Sequence, residues 1–148
     1  MSEIIKVVGN FEMDVFKIIN NEKILIEHYK DNNKVVTLGK DKLRKMLAND
    51  GTENYISQIA FGSDSTEPTI ADTNLTDRYI KPIISYEYVN TTSVKFNWAL
   101  TAGESNGLSI YEYGLFTEDT TLFARKVRTV IEKEADIVLE GFWTITFI

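Results

Sequence analysis

The sequence predicts a mainly β protein, an antiparallel β-sandwich or barrel-like sheet carrying one short amphipathic helix. Three observations lead there. Apolar residues alternate with polar ones at period two in many short runs, as half-buried strands require. Turn-forming residues separate those runs at close intervals, and only one segment shows the i, i+3, i+4 spacing of a helix. Eight to ten short strands with a single helix fit a sandwich or barrel, and no strand-then-helix alternation points to a parallel α/β fold.

Taken in order, Phe11, Met13 and Val15 lead through Ile18 and Ile19 to the turn Asn20-Asn21-Glu22-Lys23, and Ile24 to Tyr29 returns as the second arm of a hairpin. Asp31-Asn32-Asn33 reads as a further turn before a short strand at 35–38. Gly39 then gives way to a helix at 40–48, in which Leu43, Met46 and Leu47 form a buried stripe and Lys42, Arg44 and Lys45 take the outer face. Asp50-Gly51 ends it.

A strand at 55–61 stops at Gly62, and the longest loop, 62–77, is rich in Ser, Thr, Asp and Pro. Strands resume at 78–89, 93–100, 108–116, 121–131 and 136–147. The clearest alternation is Val94, Phe96, Trp98 and Leu100. In the last strand Leu139, Trp143, Ile145 and Phe147 share one face while Phe142 stands on the other, so burial of Trp143 and Phe147 is expected. With 148 residues, one domain spanning 1–148 is the natural size, with the hairpin, short strand and helix of 1–50 packed on a β-region at 53–148.

Charge and composition remove chemistries. Sixteen Lys and Arg stand against 22 Asp and Glu, a net of −6, the wrong sign for nucleic acid or an anionic membrane surface. No apolar run approaches the roughly 20 residues that span a bilayer, and the start lacks the basic region of a signal peptide. The chain has no cysteine, which excludes a thiol nucleophile, a zinc ribbon and an iron–sulfur cluster.

Candidate chemistry is sparse. The single histidine, His28, lies in a strand with no nearby serine for a triad, so a structural role is expected. No nucleotide-binding loop or metalloprotease motif is present, and no catalytic, cofactor-binding or metal-ligating residue is assigned. Asp14, Glu27, Glu87 and Glu112 occupy alternating strand positions and are expected on the solvent face, although a glycosidase needs only two such acids. The loop acids Asp64, Glu67, Asp72 and Asp77 carry oxygen ligands that calcium could use, but they lack the EF-hand spacing, and local Asx-type hydrogen bonding is the expected use. Trp98, Tyr111, Tyr113, Phe116, Phe123, Phe142 and Trp143 could make a sugar-binding platform. Core and subunit interface is the expected use of such a set.

Three segments together resemble a family of small bacteriophage virion proteins, described as tail, tail-fibre or baseplate-associated structural proteins. They are YISQIAFGSDSTEPTIADTNLTD, GESNGLSIYEYGLFTEDTTLFARKVR and IEKEADIVLEGFWTITF, and the likeness covers roughly 55–147. Within them Pro68, Thr69 and Asp72 suit an ordered loop, Asn106-Gly107 a turn, and Gly114 a bulge or close backbone approach. Glu104, Glu112 and Arg125 match the motif charges, and an ion pair among them is conceivable. The resemblance implies a non-enzymatic structural component of a virion, assembled in the bacterial host cytoplasm. Its partners would be other phage structural proteins, and it would be present as a homo-oligomer or in multiple copies, with no nucleic acid and no membrane. Tail baseplate or fibre attachment is the expected position, with capsid decoration as the alternative. A carbohydrate-binding module recognising the host cell wall is the reading from a different class.

Overall fold

The computed structural model describes residues 3–148. Its elements are β1 (Val7–Ile19), β2 (Glu22–Val35), α1 (Thr37–Leu47), β3 (Ile56–Gly62), β4 (Tyr79–Pro82), β5 (Ser85–Asn90), β6 (Ser93–Leu100), β7 (Ser109–Thr117), β8 (Leu122–Glu132) and β9 (Ile137–Phe147). All strands pair antiparallel in one sheet of order β4-β3-β7-β8-β2-β1-β9-β6-β5. The sheet is strongly curled and forms a half-barrel, the mainly β architecture expected from the alternation.

Two features make the curl. The halves of the sheet join only where Lys34 pairs with Arg125 and Val35 with Ala124. At the far margins β4 runs into β5 through Ile83 and Ile84, whose amides donate to the carbonyls of Ser57 and Asn97. The two edge strands therefore turn one shared corner.

The first hairpin closes as expected at Asn20 and Asn21, both with positive φ (52° and 64°), a conformation that asparagine tolerates in a two-residue turn. The turn expected at Asp31-Asn32-Asn33 is absent, and β2 continues through it to Val35. Asp31 accepts from the Lys126 ammonium at 2.6 Å, and Asn33 Oδ1 accepts from the Trp143 indole at 2.7 Å. Tertiary partners thus hold these polar residues in an extended strand. Of the strand expected at 35–38 only Val35 is in a strand, as the end of β2, and α1 begins at Thr37 and includes Gly39. A side chain at Gly39 would collide with the backbone of Phe123. The strand expected at 78–89 is divided into β4 and β5 by the corner.

Inside the half-barrel lie Phe11, Phe61, Trp98, Tyr113 and Trp143, all buried. Phe11 is the hub, with ring centroids 4.9 Å from Tyr113 and 5.0 Å from Trp143, the latter edge-on. β9 lies between β1 and β6, so the C-terminal strand is integral to the sheet. Gly141 is required there, because a Cβ would lie 2.5 Å from both the Glu12 carbonyl and the Trp98 ring. Trp143 is buried as expected, whereas Phe147, the last residue of β9, is exposed.

The helix differs from its expected face. Leu47 is 91% exposed and Met46 is exposed, while Lys42 is buried. The Lys42 ammonium ion-pairs with Asp119 and also donates to Asn54 Oδ1 at 3.3 Å. A buried charge needs such partners to offset its lost hydration. Lys133, fully buried, is held the same way by Asn106 Oδ1 (2.9 Å) and the carbonyls of Glu134 and Ala102, which fixes the β6–β7 connection.

Candidate functional site

Two of the three motif charges, Glu112 and Arg125, meet beneath the 62–77 loop. Glu112 on β7 is 0% exposed and Arg125 on β8 is 2% exposed. Arg125 Nε donates to Glu112 Oε1 at 2.9 Å, Nη1 to Asp72 Oδ2 at 3.0 Å and Nη2 to the Asp64 carbonyl at 3.3 Å. Glu112 Oε2 in turn accepts the amides of Asp64 (2.9 Å) and Thr76 (2.8 Å). The loop is thereby clamped near both ends and in its middle. Gly62 leaves room for the clamp, since a Cβ there would lie 2.5 Å from Glu112 Oε2.

The expectation that Glu112 faces solvent is corrected by this geometry: the loop covers the outer side of β7, so alternation does not expose it. Asp14, Glu27 and Glu87 do reach solvent, at least in part. Gly114 shows the expected close approach, with a Cβ position 2.9 Å from the Phe116 ring.

The loop acids serve the loop. Asp64 accepts from the amide and hydroxyl of Thr66, Asp72 from the amide and hydroxyl of Thr69, and Asp77 from the Ser63 hydroxyl. Burial alone would raise the Asp72 carboxyl, but the Thr69 and Arg125 hydrogen bonds hold it below its ordinary range. Among the described residues no group of three or more His, Asp or Glu side chains is placed to hold a metal ion.

Glu104 does not join Arg125. It pairs with Lys81 at 2.6 Å and accepts the Tyr79 hydroxyl at 2.6 Å and the Thr101 amide at 3.0 Å. Burial opposes its charge, yet these donors hold it down to about 2. His28 is exposed on the outer face and bonds Asp14 Oδ1 through Nδ1 at 2.6 Å. That hydrogen bond raises its pKa above the ordinary histidine value.

Of the aromatic set, Trp98, Tyr113, Phe116, Phe123 and Trp143 are buried, and Tyr111 and Phe142 are partly so. The Lys95 ammonium lies 3.8 Å from the centre of the Phe142 ring. The five buried rings belong to the hydrophobic core. Exposed aromatics outside that set include Tyr55, Tyr86 and Tyr88. The Tyr86-Glu87-Tyr88 alternation in an edge strand was the available signal for two of them.

Those three tyrosines border a cleft of about 530 Å³ at the open side of the half-barrel. Leu43 and Met46 of α1 form one wall, Tyr86 and Tyr88 of β5 the other, and Phe96, Phe123 and Ile145 lie at its base. Tyr88 is 77% exposed, and its ring meets Tyr86 edge-on at 5.8 Å. Tyrosine hydroxyls are the only polar side-chain groups in the lining. Such a surface can bury apolar groups and stack on them, and it presents no acid, base or nucleophile apart from those phenols. β5 also ends the sheet, so its outer backbone edge has no strand partner.

Comparison with protein-family models, with curated proteins and with solved structures finds no match for this chain.

Proposed function

We propose that the chain is a non-enzymatic structural component of a bacteriophage or phage-tail-like particle, at the tail baseplate or fibre attachment. It acts by protein–protein assembly with other structural proteins of the particle, in multiple copies, and is assembled in the host cytoplasm. The observation that carries this reading is the apolar cleft beside an unpaired strand edge. Large exposed apolar patches on a folded domain mark surfaces that another protein covers. The motif residues support it from the other direction. Glu104, Asn106, Glu112 and Arg125 all anchor loops, so what the resemblance shares is a scaffold.

The test is quantitative mass spectrometry of gradient-purified particles, followed by separation of heads from tails. The chain should co-purify in a fixed, symmetric copy number and remain with tails after a salt wash. Recovery with heads would make it a capsid decoration protein instead. Intact particles lacking the chain, with the free chain binding cell-wall polysaccharide, would replace assembly with carbohydrate recognition.

A further inference from the structure

Three side chains meet in a cluster between α1, the segment before β3 and the β7–β8 turn. Lys42 and Asn54 are 7% and 6% exposed. The Lys42 ammonium ion-pairs with Asp119 and donates to Asn54 Oδ1 at 3.3 Å. Asn54 Nδ2 donates to the Asp50 carbonyl at 2.7 Å, so the amide is held with its oxygen toward the lysine and its nitrogen toward the loop. The amide carbon, Cγ, is one bond from that oxygen. The backbones are fixed too, since the amides of Glu118 and Asp119 donate to the carbonyls of Tyr55 (2.9 Å) and Glu53 (3.2 Å).

An amine, a carboxamide and a carboxylate in this arrangement have a reaction open to them. In water a lysine is protonated and meets an amide too rarely to displace its ammonia. A fixed approach at about 3–3.5 Å removes the second obstacle, and an adjacent carboxylate that takes and returns protons removes the first. Burial keeps out competing water.

We propose that Lys42 and Asn54 join in an isopeptide bond, formed by the chain itself with Asp119 as the proton carrier. Asp119 accepts a proton from the ammonium and frees the Nζ electron pair. Nζ attacks Asn54 Cγ, the new C–N bond forms, and the Cγ–Nδ2 bond breaks. Nδ2 leaves with its bonding pair and the two protons shed by Nζ, passed through Asp119. One ammonium ion is released, Asp119 is a carboxylate again, and no oxidant, cofactor or second molecule is consumed.

Burial opposes the Asp119 charge, yet the Lys42 and Thr117 hydrogen bonds hold its carboxyl down to about 2. The pair therefore rests as ammonium and carboxylate, and the first proton shift is uphill. The reaction is slow, but each chain needs it only once. Lys133 shows what the site requires. It is buried and donates to Asn106 Oδ1 at 2.9 Å, but its other partners are the carbonyls of Ala102 and Glu134, with no carboxylate to carry a proton. The bond fastens α1, whose N-cap makes no side-chain hydrogen bond, to the segment that leads into β3. It concerns the chain alone and stands apart from the particle reading.

The test is the intact mass of the purified full chain, followed by peptide mapping. Wild-type protein kept folded should lose the mass of one ammonia. Digestion should give a branched peptide that joins Lys42 to Asn54 and escapes tryptic cleavage after Lys42. Chain made and held in urea should keep its full mass, as should Lys42→Arg. Asp119→Ala should convert about 100-fold more slowly. Circular dichroism checks that the variants are folded, and the wild-type mass decides the matter even where one is not. A folded wild type that retains its full mass overturns the inference. So does loss of water mapped to Lys42 and Asp119. Loss of ammonia mapped to Asn106, by succinimide formation with Gly107 or bonding to Lys133, overturns it as well. Equal rates in the wild type and a folded Asp119→Ala would overturn the role of Asp119.

Discussion

Replacing Glu112 by Gln keeps the shape of the loop clamp and removes its negative charge. Glu112 accepts three hydrogen bonds, two on Oε2 from the Asp64 and Thr76 amides and one on Oε1 from Arg125. Glutamine has one oxygen and one NH₂ group, so it must turn a donor either toward Arg125 or toward the two amides. Breaking a buried pair by removing one partner costs about 3–5 kcal/mol, because the remaining charge is left without its counter-ion. Here Asp72 still holds Arg125 at 3.0 Å, which places the loss near the lower limit, about 3 kcal/mol. In a chain of this size that corresponds to a fall of roughly 6–12 °C in Tm. Arg125→Met in the same background should recover part of the loss by removing the stranded cation. Urea titrations of the three proteins measure this, and hydrogen exchange at the Asp64 and Thr76 amides reports whether the loop lifts. A Glu112→Gln midpoint equal to that of the wild type would falsify the clamp as a stabilising element.

Trp143 is fully buried and bonded to Asn33, so Trp143→Ala should cost about 3–5 kcal/mol, and an unchanged denaturant midpoint would show that β9 is not core. Glu104 and Asp119 are both held down to about 2, against ordinary values of 4.5 and 3.8. The unfolded chain binds their protons first, so their stabilisation is complete above about pH 4.5 and is lost as pH falls toward about 2. Lys81→Met should flatten that dependence in acid titrations followed by circular dichroism, and a profile identical to the wild type would remove Glu104 as its source. His28→Ala should leave the unfolding midpoint unchanged, because its one side-chain partner among the described residues is Asp14 on the outer face. A shifted midpoint in urea would show that the His28–Asp14 pair supports the fold.

Strands whose two faces differ were legible. Val94, Phe96, Trp98 and Leu100 announce β6, and Leu139, Trp143 and Ile145 announce β9, because one face meets the core and the other meets water. Where a third layer covers the sheet the rule fails, as at Glu112, whose outer side lies under a loop that begins 50 residues earlier in the chain. Lys42 was unreadable for a similar reason, since its partner Asp119 is 77 residues away and a basic residue on a short helix ordinarily points outward. The Asp31-Asn32-Asn33 stretch has turn composition, yet contacts with Lys126 and Trp143 keep it extended. The cleft required tertiary knowledge throughout, because its walls come from α1 and β5, which no local pattern relates.

The position of β9 also decides how the chain folds. Its partner β1 begins some 140 positions away, with Val7 opposite Phe147, so their pairing closes nearly the largest loop available in this sequence. The β1–β2 and β7–β8 hairpins need only local closure and can form within microseconds. The half containing β6 and β5 cannot join them until β9 is inserted between β1 and β6. Folding should therefore be slow, in the millisecond-to-second range of β-rich domains with distant contacts. Until that insertion, the inner faces of β1 and β6 remain open to solvent and to other nascent chains. Such exposure invites aggregation, so the speed of that last docking step bears directly on the yield of folded chain.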